Sequence, residues 1–91
     1  DSGEEQLWTG SIDRLVLARR GEDVVWAEVL DYKTDVLTEE QLADRVEYYR
    51  PQIETYGRVV AAQTGLAASE IRLGVVFLEL GRVVEILPPS E

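Results

Sequence analysis

Two aspartates and a single lysine carry most of the chemistry this sequence offers. Lysine occurs once, at Lys33, against eight arginines, so arginine serves wherever an ordinary surface cation would do. Lys33 closes an apolar run in Asp31-Tyr32-Lys33-Thr34. Side-chain alternation then puts Asp31 and Lys33 on one face, roughly 7 Å apart along an extended chain. Asp13 falls inside an earlier β-prone stretch, between Ile12 and Leu15, where an ionised carboxylate needs a partner. Histidine and cysteine are absent. Acid–base and metal chemistry therefore rest on carboxylates, lysine, tyrosine and backbone, and disulfides, thiolate zinc sites and cysteine-ligated clusters are excluded.

These groups need elements that bring them together. Residues 6–18 (Leu7, Trp8, Ile12, Leu15, Val16, Leu17) and 24–30 are β-prone, and the charged turn Arg19-Arg20-Gly21-Glu22-Asp23 between them predicts an antiparallel hairpin. A three-residue loop of Gly21, Glu22 and Asp23 makes the numbers of facing residues sum to 44, so that Asp13 faces Asp31. Directly opposed side chains share a face with Cβ atoms about 4.5 to 5.5 Å apart, and two carboxylates there repel unless a cation joins them. Oxygen ligands select a hard ion, Mg²⁺ or Mn²⁺. A two-residue loop would pair Asp13 with Leu30 and turn its carboxylate away.

Further along, Thr38 with Gln41 three residues on forms a capping-box pattern, and Glu39 and Glu40 suit the first turn of a helix starting there. Pro51 predicts a break near Arg50, followed by a second helix over 51–64 with Ile53, Tyr56, Val60 and Ala61 at helical spacing and Gly65 as its C-cap. Residues 71–80 and 82–87, parted by Gly81, read as a closing strand or hairpin. The order predicts an α/β or α+β class: a mixed sheet containing an antiparallel hairpin, flanked by helices, with the strand after the helical segment able to pair parallel to an earlier one through a crossover.

The chain has 91 residues and a formal net charge of −9. That length holds one small core, so residues 1–91 are expected to form a single domain. With no methionine, even at position 1, the sequence reads as a piece of a longer polypeptide. The acidity argues against gripping nucleic acid by bulk charge, yet it is compatible with carboxylates that hold a cation against a phosphate. No apolar run approaches the roughly 20 residues of a membrane helix, and the expectation is a cytoplasmic protein without a membrane partner.

Three ordered motifs now stand together: Asp13 within Gly10-Ser11-Ile12-Asp13-Arg14, then Asp31-Tyr32-Lys33-Thr34, then Gln52 and Tyr56 as Gln-x-x-x-Tyr. Over roughly residues 10–80 this resembles the C-terminal nuclease domain of RecB- and AddA-type helicase-nucleases, within the PD-(D/E)XK superfamily. The resemblance implies a restriction-endonuclease-like core truncated at its N-terminus. It implies a Mg²⁺- or Mn²⁺-dependent exodeoxyribonuclease serving double-strand break repair and recombination. DNA, ATP-binding helicase domains of the same polypeptide and a second helicase-nuclease subunit are the implied partners. It makes Asp13, Asp31 and the carbonyl of Tyr32 the metal ligands, gives Lys33 the attacking water to orient or deprotonate, and puts Gln52 and Tyr56 beside the site. One departure is informative: that family usually brings a further His or Glu from a helix before the first strand, and this sequence has no histidine. Lack of cysteine points to the branch without an iron–sulfur cluster.

Plainer readings apply to other residues. Trp8 and Trp26 suit strand packing, Tyr56 suits the apolar face of a helix, and Glu39, Glu40, Asp44 and Glu47 suit a solvated face. Arg14, Arg19, Arg20, Arg45, Arg50 and Arg58 are candidate phosphate contacts or ordinary solvated cations. Two alternatives to the enzyme are a catalytically inactive nuclease-like module that guides DNA or docks a subunit, and an acidic protein-interaction domain.

Overall fold

A computed structural model describes residues 12–87. The hairpin is present as β1 (Arg14–Arg20) and β2 (Asp23–Lys33). A long helix, α1 (Glu39–Thr64), and a 3₁₀ turn (Ala68–Glu70) carry the chain to β3 (Ile71–Phe77), and β4 (Arg82–Ile86) closes the fold. The four strands form one sheet in the order β1-β2-β3-β4, with β2 and β3 parallel and both outer pairs antiparallel. This is a mixed-sheet α+β architecture in which α1 serves as the crossover that a parallel pair requires. Trp8 and the other β-prone residues before Ile12 lie outside the described residues.

The hairpin reaches the expected register by another route. Arg20 pairs with Asp23, leaving a two-residue turn of Gly21 and Glu22 in which Gly21 has φ 63°, the left-handed value a II′-type turn takes at its first central position. Taken alone, that turn would offset the strands by one. The ladder shifts between Ala18 and Arg19, so that Ala18 pairs with Trp26 and Val25 is the extra residue of a β-bulge. Beyond the bulge the pairs run through Leu17 with Ala27 and Leu15 with Val29 to Arg14 with Leu30, which puts Asp13 and Asp31 in line. Turn and bulge each displace the register, and their sum restores the face.

One face of the sheet meets α1. Ala27 and Val29 from β2, Val75 and Phe77 from β3, and Ile86 from β4 are buried against Leu42, Val46, Ile53 and Val60 of the helix. Tyr56 and Leu73 pack on both halves of this core and join them. The predicted break near Arg50 does not occur: α1 runs unbroken for 26 residues with Pro51 inside it. Proline removes one helical hydrogen bond and crowds the preceding turn. Here the buried stripe Leu42, Val46, Ile53, Gly57 and Val60 continues across Pro51, so breaking the helix would unseat one half from the core. Tertiary burial outweighs the local penalty.

The helix ends follow the sequence. Gln41 accepts the Thr38 backbone N–H on its side-chain oxygen at 2.9 Å, one half of the capping box. Gly65, at φ 79°, closes the other end by donating its N–H to the Ala61 carbonyl at 2.8 Å.

Candidate active site

The end of β2 and the middle of α1 supply the polar cluster. Asp31 lies on the helix-facing side of β2, two residues beyond Val29, and is 3% exposed. Burial in this apolar setting disfavours its charge and raises its pKa, against the lowering influence of Lys33. Lys33 extends from the same face and brings Nζ to 2.7 Å from Asp31 Oδ2. Burial works against the ammonium, but the ion pair with Asp31 prevails and raises its pKa. The alternation that predicted a shared face for Asp31 and Lys33 therefore ends in direct contact.

Asp13 is not inside a strand. It occupies a bend one residue before β1 and is exposed. Its Oδ2 accepts the backbone N–H of Tyr32 at 2.8 Å, and this bond is the main reason its pKa falls below the usual 3.8. Asp31 lowers the pKa of Asp13 further, while Asp13 raises that of Asp31. Tyr32 itself is exposed, while its backbone joins the two motifs.

From α1, Gln52 accepts a hydrogen bond from Lys33 Nζ on Oε1 at 3.1 Å. Tyr56, one turn further on, is half-buried against both core clusters. Its pKa is raised by burial first, and then by Asp31 and Asp13 against the opposing Lys33, which puts its phenol beside the three charged groups. The structure thus brings Asp13, Asp31, Lys33, Gln52 and Tyr56 to one place. Of the arginines, Arg45 binds Asp35, Arg50 binds Glu47 and the Leu87 carbonyl, and Arg58 binds Thr55, so these three are engaged within the fold. Trp26 is half-buried on the sheet face opposite α1, with the Arg72 guanidinium 5.8 Å from its ring centroid, a packing role.

One neighbour is not among the sequence candidates. The ring of Tyr49 lies under Lys33, with Nζ 4.3 Å from the ring centroid. Tyr49 precedes Gln52 by three residues and Tyr56 by seven, so a Tyr-x-x-Gln-x-x-x-Tyr spacing on one helix face was available to find it.

The donor set suits a hard cation. Asp31 Oδ2 is buried and, despite its closeness to Lys33, receives no hydrogen bond of aligned geometry. A buried carboxylate beside a second, exposed one matches the oxygen-rich, partly hydrated coordination that Mg²⁺ takes. Among the described residues no three His, Cys, Asp or Glu side chains converge, and two carboxylates meet there.

The profile of the PD-(D/E)XK nuclease superfamily matches residues 6–88. No curated protein and no solved structure matches the chain.

Proposed function

Because the chain belongs to the PD-(D/E)XK nuclease superfamily, we propose that it is a metal-dependent DNA nuclease domain, in which Asp13, Asp31 and the Tyr32 carbonyl hold Mg²⁺ or Mn²⁺. The observation that carries this reading is the buried Asp31 carboxylate, paired with the sole lysine and next to Asp13, which is tied to the Tyr32 backbone. A bound cation would supply electrostatic stabilisation of the phosphate and acidify a coordinated water. Lys33, held as an ammonium, orients the nucleophile and offsets charge that develops on the phosphate. Gln52 fixes the Lys33 head, and Tyr56 lines the approach to the site from the helix. The order of the three motifs supports a finer reading, an exodeoxyribonuclease domain of a RecB/AddA-type helicase-nuclease acting in double-strand break repair in the cytoplasm. In that reading residues 1–91 are one domain of a polypeptide that also carries the helicase motor and works with a second subunit.

The test is cleavage of end-labelled linear DNA in Mg²⁺ and in Mn²⁺ by the protein and by its Asp13→Asn, Asp31→Asn and Lys33→Ala variants. Each substitution is expected to lower the rate by about 100-fold or more, the scale on which positioned charges act in such sites. Wild-type rates in all three variants would refute the assignment. A second reading, a nuclease-like module that guides DNA without cutting it, is favoured by one observation, the convergence of only two carboxylates among the described residues. DNA binding with no cutting by the wild type in either metal would select it.

A further inference from the structure

The ammonium of Lys33 has three neighbours: Asp31 Oδ2 at 2.7 Å, Gln52 Oε1 at 3.1 Å and the face of the Tyr49 ring, 4.3 Å from Nζ to its centroid. We infer that Tyr49 is a positioning residue, whose ring face holds the Lys33 ammonium in register with the carboxylates. This deepens the nuclease reading and rests on it for its functional part.

Three features support the role. A lysine side chain is long and flexible, and two contacts made through its head alone leave its approach angle open, whereas a ring beneath the ammonium restricts it. The ring is itself anchored. Its hydroxyl donates to the Asp35 carboxylate, with Oδ2 at 2.9 Å and Oδ1 at 3.0 Å, and Arg45 Nη1 lies 2.5 Å from Asp35 Oδ2. Asp35 stands in the connection between β2 and α1, so the anchor ties the strand end bearing Lys33 to the helix bearing Gln52. Finally, a π face attracts an ammonium without adding a formal negative charge. A third carboxylate at that position would satisfy Lys33 equally well, but Lys33 and a metal ion would then compete for it. Tyr49 holds the lysine without adding a carboxylate to the two that the described residues bring there.

Because Lys33 is the only lysine, its signals need no separation from others. In the wild-type protein its ε-methylene protons are expected upfield of their position in the urea-unfolded chain, displaced by the aromatic ring current; coincidence of the two positions would overturn the contact. A second arm measures acylation of Lys33 by trace acetic anhydride at one fixed pH, read by mass spectrometry, in Tyr49→Leu and Tyr49→Phe. The leucine variant is expected to label about 3- to 10-fold faster, the range set by a partly desolvated cation–π contact, and the phenylalanine variant to fall between it and wild type, because it keeps the ring but loses the Asp35 anchor. Equal labelling of all three folded proteins would reduce Tyr49 to a packing residue. In the cleavage assay Tyr49→Leu is expected to lower kcat with little change in KM for DNA, and Tyr49→Phe to restore kcat in part. If the wild type does not cut DNA, the nuclease reading fails, while the ring-current and labelling arms still decide whether Tyr49 holds Lys33.

Discussion

The carboxylate of Asp13 is fastened to the backbone of Tyr32, accepting its N–H at 2.8 Å, so the first motif is stitched to the second at the residue between Asp31 and Lys33. This bond does what a ladder pair would do for a residue inside β1, although Asp13 precedes the strand. It lets one carboxylate stay exposed while its neighbour Asp31 is buried. The site is thus half in the core and half at the surface, the arrangement a substrate phosphate needs to reach it.

Asp31 and Lys33 are expected to be coupled in stability. Removing the ammonium in Lys33→Met leaves a buried carboxylate without its counter-charge and should cost about 2 kcal/mol, less than a fully buried pair because Lys33 keeps some solvent access. Adding Asp31→Asn should recover more than half of that loss. Urea denaturation of the two single variants and the double variant measures the coupling, and simple additivity would show that the pair is not a unit.

Deleting Val25 should leave the site intact. Val25 is the unpaired residue of the bulge, and without it a regular ladder from Arg20 and Asp23 still brings Asp13 opposite Asp31. The deletion variant is therefore expected to retain the wild-type response to Mn²⁺ in thermal melting. Loss of that response in a folded variant would mean that the bulge does more than set register.

At Gly57 the helix approaches β3 so closely that an added Cβ would lie 3.0 and 3.1 Å from the two terminal methyls of Leu73. Leu73 is flexible enough to yield to one methyl group, and alanine gains up to about 1 kcal/mol of helix propensity over glycine. Gly57→Ala should change stability by less than about 1 kcal/mol on those opposing terms. Gly57→Val, with two further methyls and a stiff χ1, should lose about 1 to 3 kcal/mol by overpacking. Chemical denaturation of both variants checks the contrast, and equal stabilities would deny the close approach.

A pH effect is expected away from the site. The side-chain hydrogen bonds of Arg50 hold the Glu47 carboxyl below its usual 4.5. A group whose pKa is depressed in the folded state contributes stability above the unfolded value and loses it as the pH falls through the folded one. Thermal melting of the wild type and Glu47→Ala should differ at pH 7, and the gap should close as the pH drops below about 4.5. A gap that persists at low pH would assign Glu47 a role other than its charge.

Much of this was legible in local patterns. Alternation along β2 predicted the Asp31–Lys33 face, Thr38 and Gln41 marked the start of α1, Gly65 marked its end, and the i, i+4 spacing of Gln52 and Tyr56 put both beside the cluster. What escaped depends on contacts distant in sequence. Pro51 carries the same local penalty in any helix, and only the continuous buried stripe on either side of it shows that the helix runs on. The bulge at Val25 compensates a turn one residue shorter than expected, so the sequence arithmetic reached the right pairing through a loop that is not there. Tyr49 shares a helix face with Gln52 and Tyr56, but an aromatic residue there has packing as its ordinary reading, and its place under Lys33 follows from how α1 crosses the sheet.

In the proposed site Asp13 and Asp31 hold one hard divalent cation beside Lys33. Mn²⁺ binding followed by the loss of its free-ion paramagnetic resonance signal tests this directly, with the protein and its Asp31→Asn variant titrated side by side. One Mn²⁺ site is expected in the wild type, competed by Mg²⁺ and lost in the variant. Unchanged Mn²⁺ binding in Asp31→Asn, or no binding by the wild type, would contradict it.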